Sequence, residues 1–177
     1  MTELLERIKK SFFNSVLKQR AAQIYSHHVV NFQLANTIGI IYDSTDTDND
    51  ITLTKFAELL RSKGKQVELL GYLHDKNIDH KADVQIFNRN SVNWYGIPND
   101  LRVNDFCNKK FDLLLCGFIN ENLPLEYVAT FSQASYRVGA FDPTKTHCYD
   151  LMIERGEKRN LNYLLLRMVQ VLEQIKA

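Results

Sequence analysis

The fold of this chain is decided by the stretch IGIIYDSTDTDND, residues 38–50. Its first half is an apolar run that turn-forming residues end, a pattern that predicts a buried β-strand. Apolar residues at helical spacing follow from Ile51 to Leu60, and Gly64 comes just after them, so we expect a helix next. A second apolar run, residues 66–73, lies beyond a connection of the length that parallel strands require. These segments predict a βαβ unit.

The alternation of strands and helices continues along the chain. Residues 112–118 form another apolar run, Asn122 is suited to cap a helix, and Pro124 is tolerated in a first helical turn, so we expect a helix to about Ala134. Weaker patterns predict a short strand at residues 84–87 and a short helix near residues 100–109. Residues 74–83 are marginal for a helix.

Two further strands are expected at residues 136–141 and 149–153. The segment between them is too short for a helical crossover, which predicts either a hairpin or an antiparallel edge strand. Long amphipathic helices are expected at about residues 2–26 and 160–176. The first carries an apolar face of Leu5, Ile8, Phe12 and Val16.

These patterns predict one α/β domain spanning residues 1–177. Its architecture is a Rossmann-like three-layer sandwich with a mostly parallel sheet at about residues 36–153, and a length of 177 residues suits a single domain. No Pro/Gly/Ser-rich linker divides the chain.

The composition excludes several partners. A net charge of +1 provides no global field for nucleic acid or an anionic membrane. The apolar runs are too short to span a membrane, and the N-terminus lacks the apolar core of a signal peptide, so we expect a cytoplasmic protein. Three cysteines without a CxxC spacing argue against a disulfide framework or a structural zinc site.

The familiar catalytic and cofactor motifs are missing from the sequence. None of the seven glycines forms a GxG pair, so neither the dinucleotide fingerprint nor the phosphate-binding loop is present. GxSxG and HExxH are absent as well. The sequence therefore identifies no cofactor, and it leaves open whether the protein is an enzyme.

The aspartates at residues 43–50 suggest a metal site, but the spacing of the residues does not match a calcium-binding loop. A calcium loop beginning at Asp46 would need glycine where Ile51 stands and glutamate where Ala57 stands. The interpretation we favour is that Asp48 or Asp50 caps the next helix, and the alternative is a contact with a divalent ion or a substrate. In either case the loop should favour cationic, metal-bridged or hydroxyl-rich ligands over free phosphate.

Parallel α/β sheets bind ligands at the carboxyl ends of their strands, near a switch in strand order. That rule predicts a rim of polar residues: Asp43, Thr45, Asp46, Asn120, Glu121, Asn122 and Asp142, with His74 and Asp75 beside them. Glu121 and Asp142 are the candidates for acid/base chemistry. The alternative is that these side chains only cap helices and form turns, without a crevice.

Cysteine, histidine and aromatic side chains offer weaker candidates. Cys116 is expected to pack in the core, the alternative being a reactive thiol. Trp94 and Tyr95 are expected to pack a loop onto the core, the alternative being stacking on a base or a sugar. The histidines lack further ligands at suitable spacing, so no metal site is predicted.

Six segments carry a resemblance to a known family. They are residues 38–43, 93–96, 111–114, 124–127, 136–139 and 149–153. Together they resemble an uncharacterised bacterial family of short α/β proteins, which implies the fold but no activity. Residues 111–115 and 134–141 are also similar to a βαβ segment in the first domain of heptosyltransferase-type glycosyltransferases. The Gly-Asp element of those enzymes is missing, since Ser44 follows Asp43, and no catalytic residue carries over.

Two functional hypotheses follow. The first is a non-catalytic or regulatory domain that binds a partner protein or self-associates through its terminal amphipathic helices. The second is a small-molecule-binding protein or enzyme that uses the rim at the strand ends, for a ligand related to sugars or nucleotides.

Overall fold

A computed structural model describes residues 2–21, 30–75, 84–156 and 160–175. The helices are α1 (Thr2–Ala21), α2 (Thr47–Ser62), α3 (Leu101–Asn108), α4 (Leu123–Phe131) and α5 (Leu161–Gln174). The strands are β1 (Thr37–Asp43), β2 (Gln66–Leu73), β3 (Gln85–Asn88), β4 (Leu113–Gly117), β5 (Tyr136–Ala140) and β6 (Leu151–Ile153). The predicted strands and helices are therefore present, apart from residues 22–26, 76–83 and 176, which lie outside the described ranges.

The six strands form one parallel sheet in the order β3-β2-β1-β4-β5-β6. The chain first adds strands on one side of β1 and then returns to add β4, β5 and β6 on the other side. The order thus reverses between β1 and β4, which are hydrogen-bonded neighbours from Ile38↔Leu113 to Tyr42↔Gly117. This is the strand order of a Rossmann fold, and its reversal is the switch point at which such folds bind ligands.

Both faces of the sheet are covered, which explains why β1 and β4 read as continuous apolar runs. On one face, α2 and α5 contribute buried side chains such as Phe56, Leu60, Leu165 and Met168. On the other face, α3 and α4 contribute Val103, Phe106, Leu125 and Val128. The predicted three-layer sandwich is confirmed.

The final pair of strands corrects the sequence prediction. β5 and β6 are parallel, with Val138 opposite Leu151, so these two strands form neither the expected hairpin nor an antiparallel edge. Residues 141–150 make the crossover without a helix, through turns that bury Cys148 and Tyr149 against the sheet. A Cβ at Gly139 would stand 2.4 Å from the Tyr149 ring, so the missing side chain makes room for this short crossover.

The N-terminal helix α1 packs through a different face from the one that its sequence suggests. Phe13 and Leu17 are buried against Leu123 of α4, with Tyr127 and Phe131 beside them. Leu4, Leu5, Ile8 and Phe12 remain exposed, between 38% and 62%. The apolar face predicted from the spacing therefore does not cover the sheet.

Candidate functional site

The aspartate loop after β1 is mostly structural. Asp46 is the N-cap of α2 and its side chain accepts a hydrogen bond from the Asp48 backbone N–H. Asp50 is buried and accepts hydrogen bonds from the hydroxyls of Tyr42, at 2.9 Å, and Ser44, at 2.6 Å. The prediction that Asp48 or Asp50 caps the helix is therefore wrong, since the cap lies two and four residues earlier, and Asp50 instead fastens the helix to the end of β1.

Asp43 has a different role, because it connects the two strands at the switch point. One carboxylate oxygen accepts the Thr45 backbone N–H at 2.9 Å, and the other accepts the Asn122 side-chain amide at 3.2 Å. Asn122 is also the N-cap of α4, where its side-chain oxygen accepts the Leu125 N–H. The loops that follow β1 and β4 are thus held together by a carboxylate that remains partly exposed.

A crevice of about 410 Å³ lies at these strand ends. Its floor and walls come from the ends of β1, β2 and β3 and from the loop that precedes α4. These contribute Asp43, Thr45, Tyr72, His74, Arg89, Glu121 and Asn122. A crevice of this volume is in the range of small-molecule sites.

Helix α1 closes one side of the crevice with Glu6, Lys9 and Lys10. The Lys10 ammonium lies 2.8 Å from the Glu121 carboxylate, and that hydrogen bond is the main reason why the pKa of Lys10 is raised. Both side chains are about half exposed, so this ion pair holds α1 over the crevice only weakly.

Tyr72 brings a hydroxyl to the same place. The residue is 3% exposed, its ring packs on Phe87, and burial raises the pKa of its hydroxyl. Arg89 and Asp43 lie close enough to shift that pKa in opposite directions. Within the described part of the chain, the Tyr72 hydroxyl makes no hydrogen bond, and no carboxylate pairs with Arg89, whose guanidinium reaches only the Asn93 carbonyl at 3.4 Å.

A second polar cluster lies beside the crossover from β5 to β6, among residues that do not line the crevice. Lys145 and Glu126 form a buried ion pair, and Asp142 lies 3.8 Å from Lys145 and 3.5 Å from Arg155. Asp142 also accepts hydrogen bonds from Thr144. Asp142 is therefore paired within this cluster, and it is not among the residues that line the crevice with Glu121.

The remaining predicted side chains divide between the crevice and the core. Asp43, Thr45, Glu121, Asn122 and His74 are brought together, whereas Asn120 is exposed outside the crevice lining. Cys116 is fully buried, and burial raises the pKa of its thiol well above the usual value, as expected for packing. Trp94 is 54% exposed and contacts the Phe12 ring edge-on at 5.5 Å, so it does not fill the core.

Across the described ranges, no group of three His, Cys, Asp or Glu side chains is arranged to hold a metal ion. Nor is any helix there long and apolar enough to cross a membrane.

Sequence reasoning missed Tyr72, Arg89, Lys9 and Lys10. Arg89 follows directly after β3. The rule that selected Asp43 at the end of β1 also selects Arg89 once the end of β3 is known. Tyr72 was hidden inside an apolar run. The lysines reach the crevice from α1, whose position depends on tertiary packing and has no local signal.

The parallel sheet, its strand order and the crevice at the switch point define a Rossmann-like α/β protein. The chain belongs to a family of unknown function, since the model described as "Family of unknown function (DUF6913)" matches residues 6–175. That match agrees with the resemblance to an uncharacterised family of short α/β proteins, whereas the likeness to heptosyltransferases gains no support. Comparison with curated proteins finds no match.

Proposed function

We propose that this protein binds a small polar molecule in the crevice between the ends of β1 and β4 and the helix α1. One observation carries the proposal: the Tyr72 hydroxyl and the Arg89 guanidinium line the crevice with Asp43 at the switch point, and neither has a side-chain partner among the described residues. Polar groups that line a crevice and are not paired with other side chains are available to a ligand.

The arrangement favours binding over catalysis. The three carboxylates that line the crevice all have partners: Asp43 bonds to Thr45 and Asn122, Glu121 pairs with Lys10, and Glu6 lies 3.8 Å from Lys9. These contacts hold the carboxylates in place as hydrogen-bond acceptors, a role that binding requires. The crevice therefore suits a regulatory domain that senses a small molecule.

A thermal-shift screen of sugars, nucleotides, amino acids and organic acids tests the proposal, because a ligand that binds only the native state raises the melting temperature. We expect at least one class to raise it, and Tyr72→Phe and Arg89→Ala to reduce that shift. Arg167→Ala is the matched control, since its guanidinium bonds to Gln170 on α5, outside the crevice. A shift that survives both crevice variants, or no shift from any class, would contradict the proposal.

Self-association through α1 is a second candidate, supported by the exposure of the predicted apolar face. Leu5, Ile8 and Phe12 are 58%, 38% and 54% exposed, and Trp94 extends the same surface. Exposed apolar patches of this kind mark interaction sites, and a second copy of α1 offers a matching surface. Terminal helix α5 is less suitable, because its apolar side is already buried in the core.

Light scattering coupled to size-exclusion chromatography tests this second candidate. We expect the natural chain to be a dimer and the Ile8→Glu variant to be a monomer. Leu59 is an exposed leucine on α2, so the control variant Leu59→Glu should remain a dimer. A natural chain that stays monomeric at high concentration would remove it.

We also infer that the protein works in the bacterial cytoplasm. Cys107, Cys116 and Cys148 are all buried free thiols, which suits a reducing compartment, and the bacterial origin rests on the family resemblance. Fractionation of cells that express a tagged chain tests this localisation. Recovery of the protein from the periplasm or from the medium would contradict it.

A further inference from the structure

The crevice brings together groups of opposite electrostatic character, and this combination indicates the chemistry of the ligand. The Arg89 guanidinium and the Tyr72 hydroxyl line it together with the Asp43 carboxylate and the polar groups of Thr45 and Asn122. The inference deepens the proposed function and rests on it.

Arg89 is suited to an anion. A guanidinium presents several N–H donors in a planar fork that matches carboxylate and phosphate oxygens. No acidic side chain in the described ranges neutralises Arg89, and its contact with the Asn93 carbonyl, at 3.4 Å, is long for a hydrogen bond. The Tyr72 hydroxyl, which lines the same crevice, offers one more donor to the same anionic group.

Asp43 is suited to hydroxyl groups. Each carboxylate oxygen of Asp43 accepts one hydrogen bond within the protein, and each has a lone pair left for a ligand donor. The same carboxylate repels a second anion. An ion of phosphate alone would therefore gain from Arg89 but leave the acceptors of Asp43 unused.

We propose that the ligand is a small polyhydroxylated anion, a sugar phosphate or a sugar acid, with its anionic group on Arg89 and Tyr72 and its hydroxyls on Asp43. The crevice, at about 410 Å³, has room for a molecule of this size.

Titrations followed by amide NMR spectra test the proposal with four probes: glucose 6-phosphate, glucuronate, glucose and inorganic phosphate. We expect at least one of the two sugar anions to perturb amides around Asp43, Tyr72 and Arg89, and to bind about tenfold or more tightly than glucose or phosphate, the gain expected from hydrogen bonds to a charged group. The two sugar anions distinguish phosphate from carboxylate as the preferred group.

Variants then test the role of each group. Arg89→Ala should lower the affinity for the sugar anion to that of glucose, whereas Arg167→Ala should leave the affinity for the sugar anion unchanged. Tyr72→Phe should weaken binding of the sugar anion about threefold to tenfold. Melting curves of each variant confirm that it is folded.

Two outcomes would overturn this inference without contradicting the proposed function. In the first, the natural chain binds glucose as tightly as it binds the sugar anions. In the second, the Arg89→Ala variant still binds the sugar anions more tightly than glucose. Perturbations outside the crevice, or none from any probe, also overturn it. The thermal-shift screen with its other ligand classes then decides the proposed function separately.

Discussion

Two buried tyrosines at neighbouring strand ends have similar environments but opposite hydrogen bonding. Tyr42 on β1 and Tyr72 on β2 are 0% and 3% exposed. The Tyr42 hydroxyl donates to the buried Asp50 carboxylate, whereas the Tyr72 hydroxyl has no partner within the described ranges. Replacing each tyrosine by phenylalanine distinguishes a hydroxyl that stabilises the fold from one that is available to a ligand.

We predict that Tyr42→Phe lowers the free energy of unfolding by about 1.5–3 kcal/mol, because it removes a hydrogen bond to a buried charged group. Tyr72→Phe should change it by less than about 0.5 kcal/mol, since no hydrogen bond is lost. Urea denaturation at neutral pH measures both. Equal losses for the two variants would show that Tyr72 has a structural role that its surroundings do not reveal.

Gly139 permits the close approach between β5 and the crossover that follows it. An added Cβ would meet three atoms of the Tyr149 ring between 2.4 and 2.6 Å. We predict that Gly139→Ala costs about 1–3 kcal/mol of unfolding free energy, the usual range for overpacking a buried site.

Gly117 on β4 is the matched control, because its added Cβ would find its nearest neighbour at 3.4 Å. We expect Gly117→Ala to cost less than about 1 kcal/mol. Chemical denaturation of the two variants side by side checks the difference, and a Gly117→Ala loss as large as that of Gly139→Ala would contradict this account of the crossover.

Among the elements, those with strong local patterns were predictable. β1, β2 and β4 are apolar because both faces of the sheet are covered, and α4 begins at the Asn122 cap that its sequence indicates. The direction of β6 was not predictable from the sequence, because a parallel crossover of ten residues depends on how Tyr149 packs over Gly139. That fit is a tertiary contact between residues far from any local motif.

The candidate site was predictable to the extent that it follows from strand ends. Asp43, Glu121 and Asn122 were selected because polar residues after parallel strands meet at one edge. Asp142 satisfies the same rule, yet its pairing with Lys145 and Arg155 takes it elsewhere. Spacing gives the edge on which a side chain lies but not its partner.

The buried pair of Lys145 and Glu126 joins the β5–β6 crossover to α4. Burial raises the pKa of Glu126, and Lys145 opposes that rise. Because the pKa of Glu126 is higher in the folded state than in the unfolded chain, Glu126 destabilises the protein as pH rises from the unfolded value, about 4.3, through the folded one. Removing Lys145 should raise the pKa of Glu126 in the folded state further, and it should therefore increase the destabilisation at high pH.

We therefore predict that Lys145→Met lowers the unfolding free energy by about 3–5 kcal/mol at about pH 8 and by clearly less at about pH 4, where Glu126 is protonated. Lys109→Met is the control, because its ion pair with Glu68 is partly exposed and should contribute at most about 1 kcal/mol at either pH. Denaturant unfolding of both variants against the natural chain gives the differences. A Lys145→Met loss that is independent of pH would contradict the role assigned to Glu126.

For the whole molecule, the described chain consists of a large body and one weakly attached helix. The two faces of the sheet are packed by extensive apolar cores, whereas α1 is fastened mainly by Phe13 and Leu17 against Leu123. Its ion pair between Lys10 and Glu121 is exposed and adds little. Since α1 also forms one side of the crevice, we expect its local opening to widen access to the candidate site.

Hydrogen exchange should reveal this difference directly. We predict that amides in α1 exchange through local opening with far lower protection than those in β1 and β4, which exchange only on global unfolding. Phe13→Ala should speed exchange in α1 and leave the sheet unchanged, because Phe13 packs only in the small α1 cluster. Phe56→Ala, a change in the core beneath α2, should instead speed exchange in the sheet. If α1 and the sheet exchanged at one common rate in the natural chain, α1 would be part of the cooperative body, and access to the crevice would not depend on its opening.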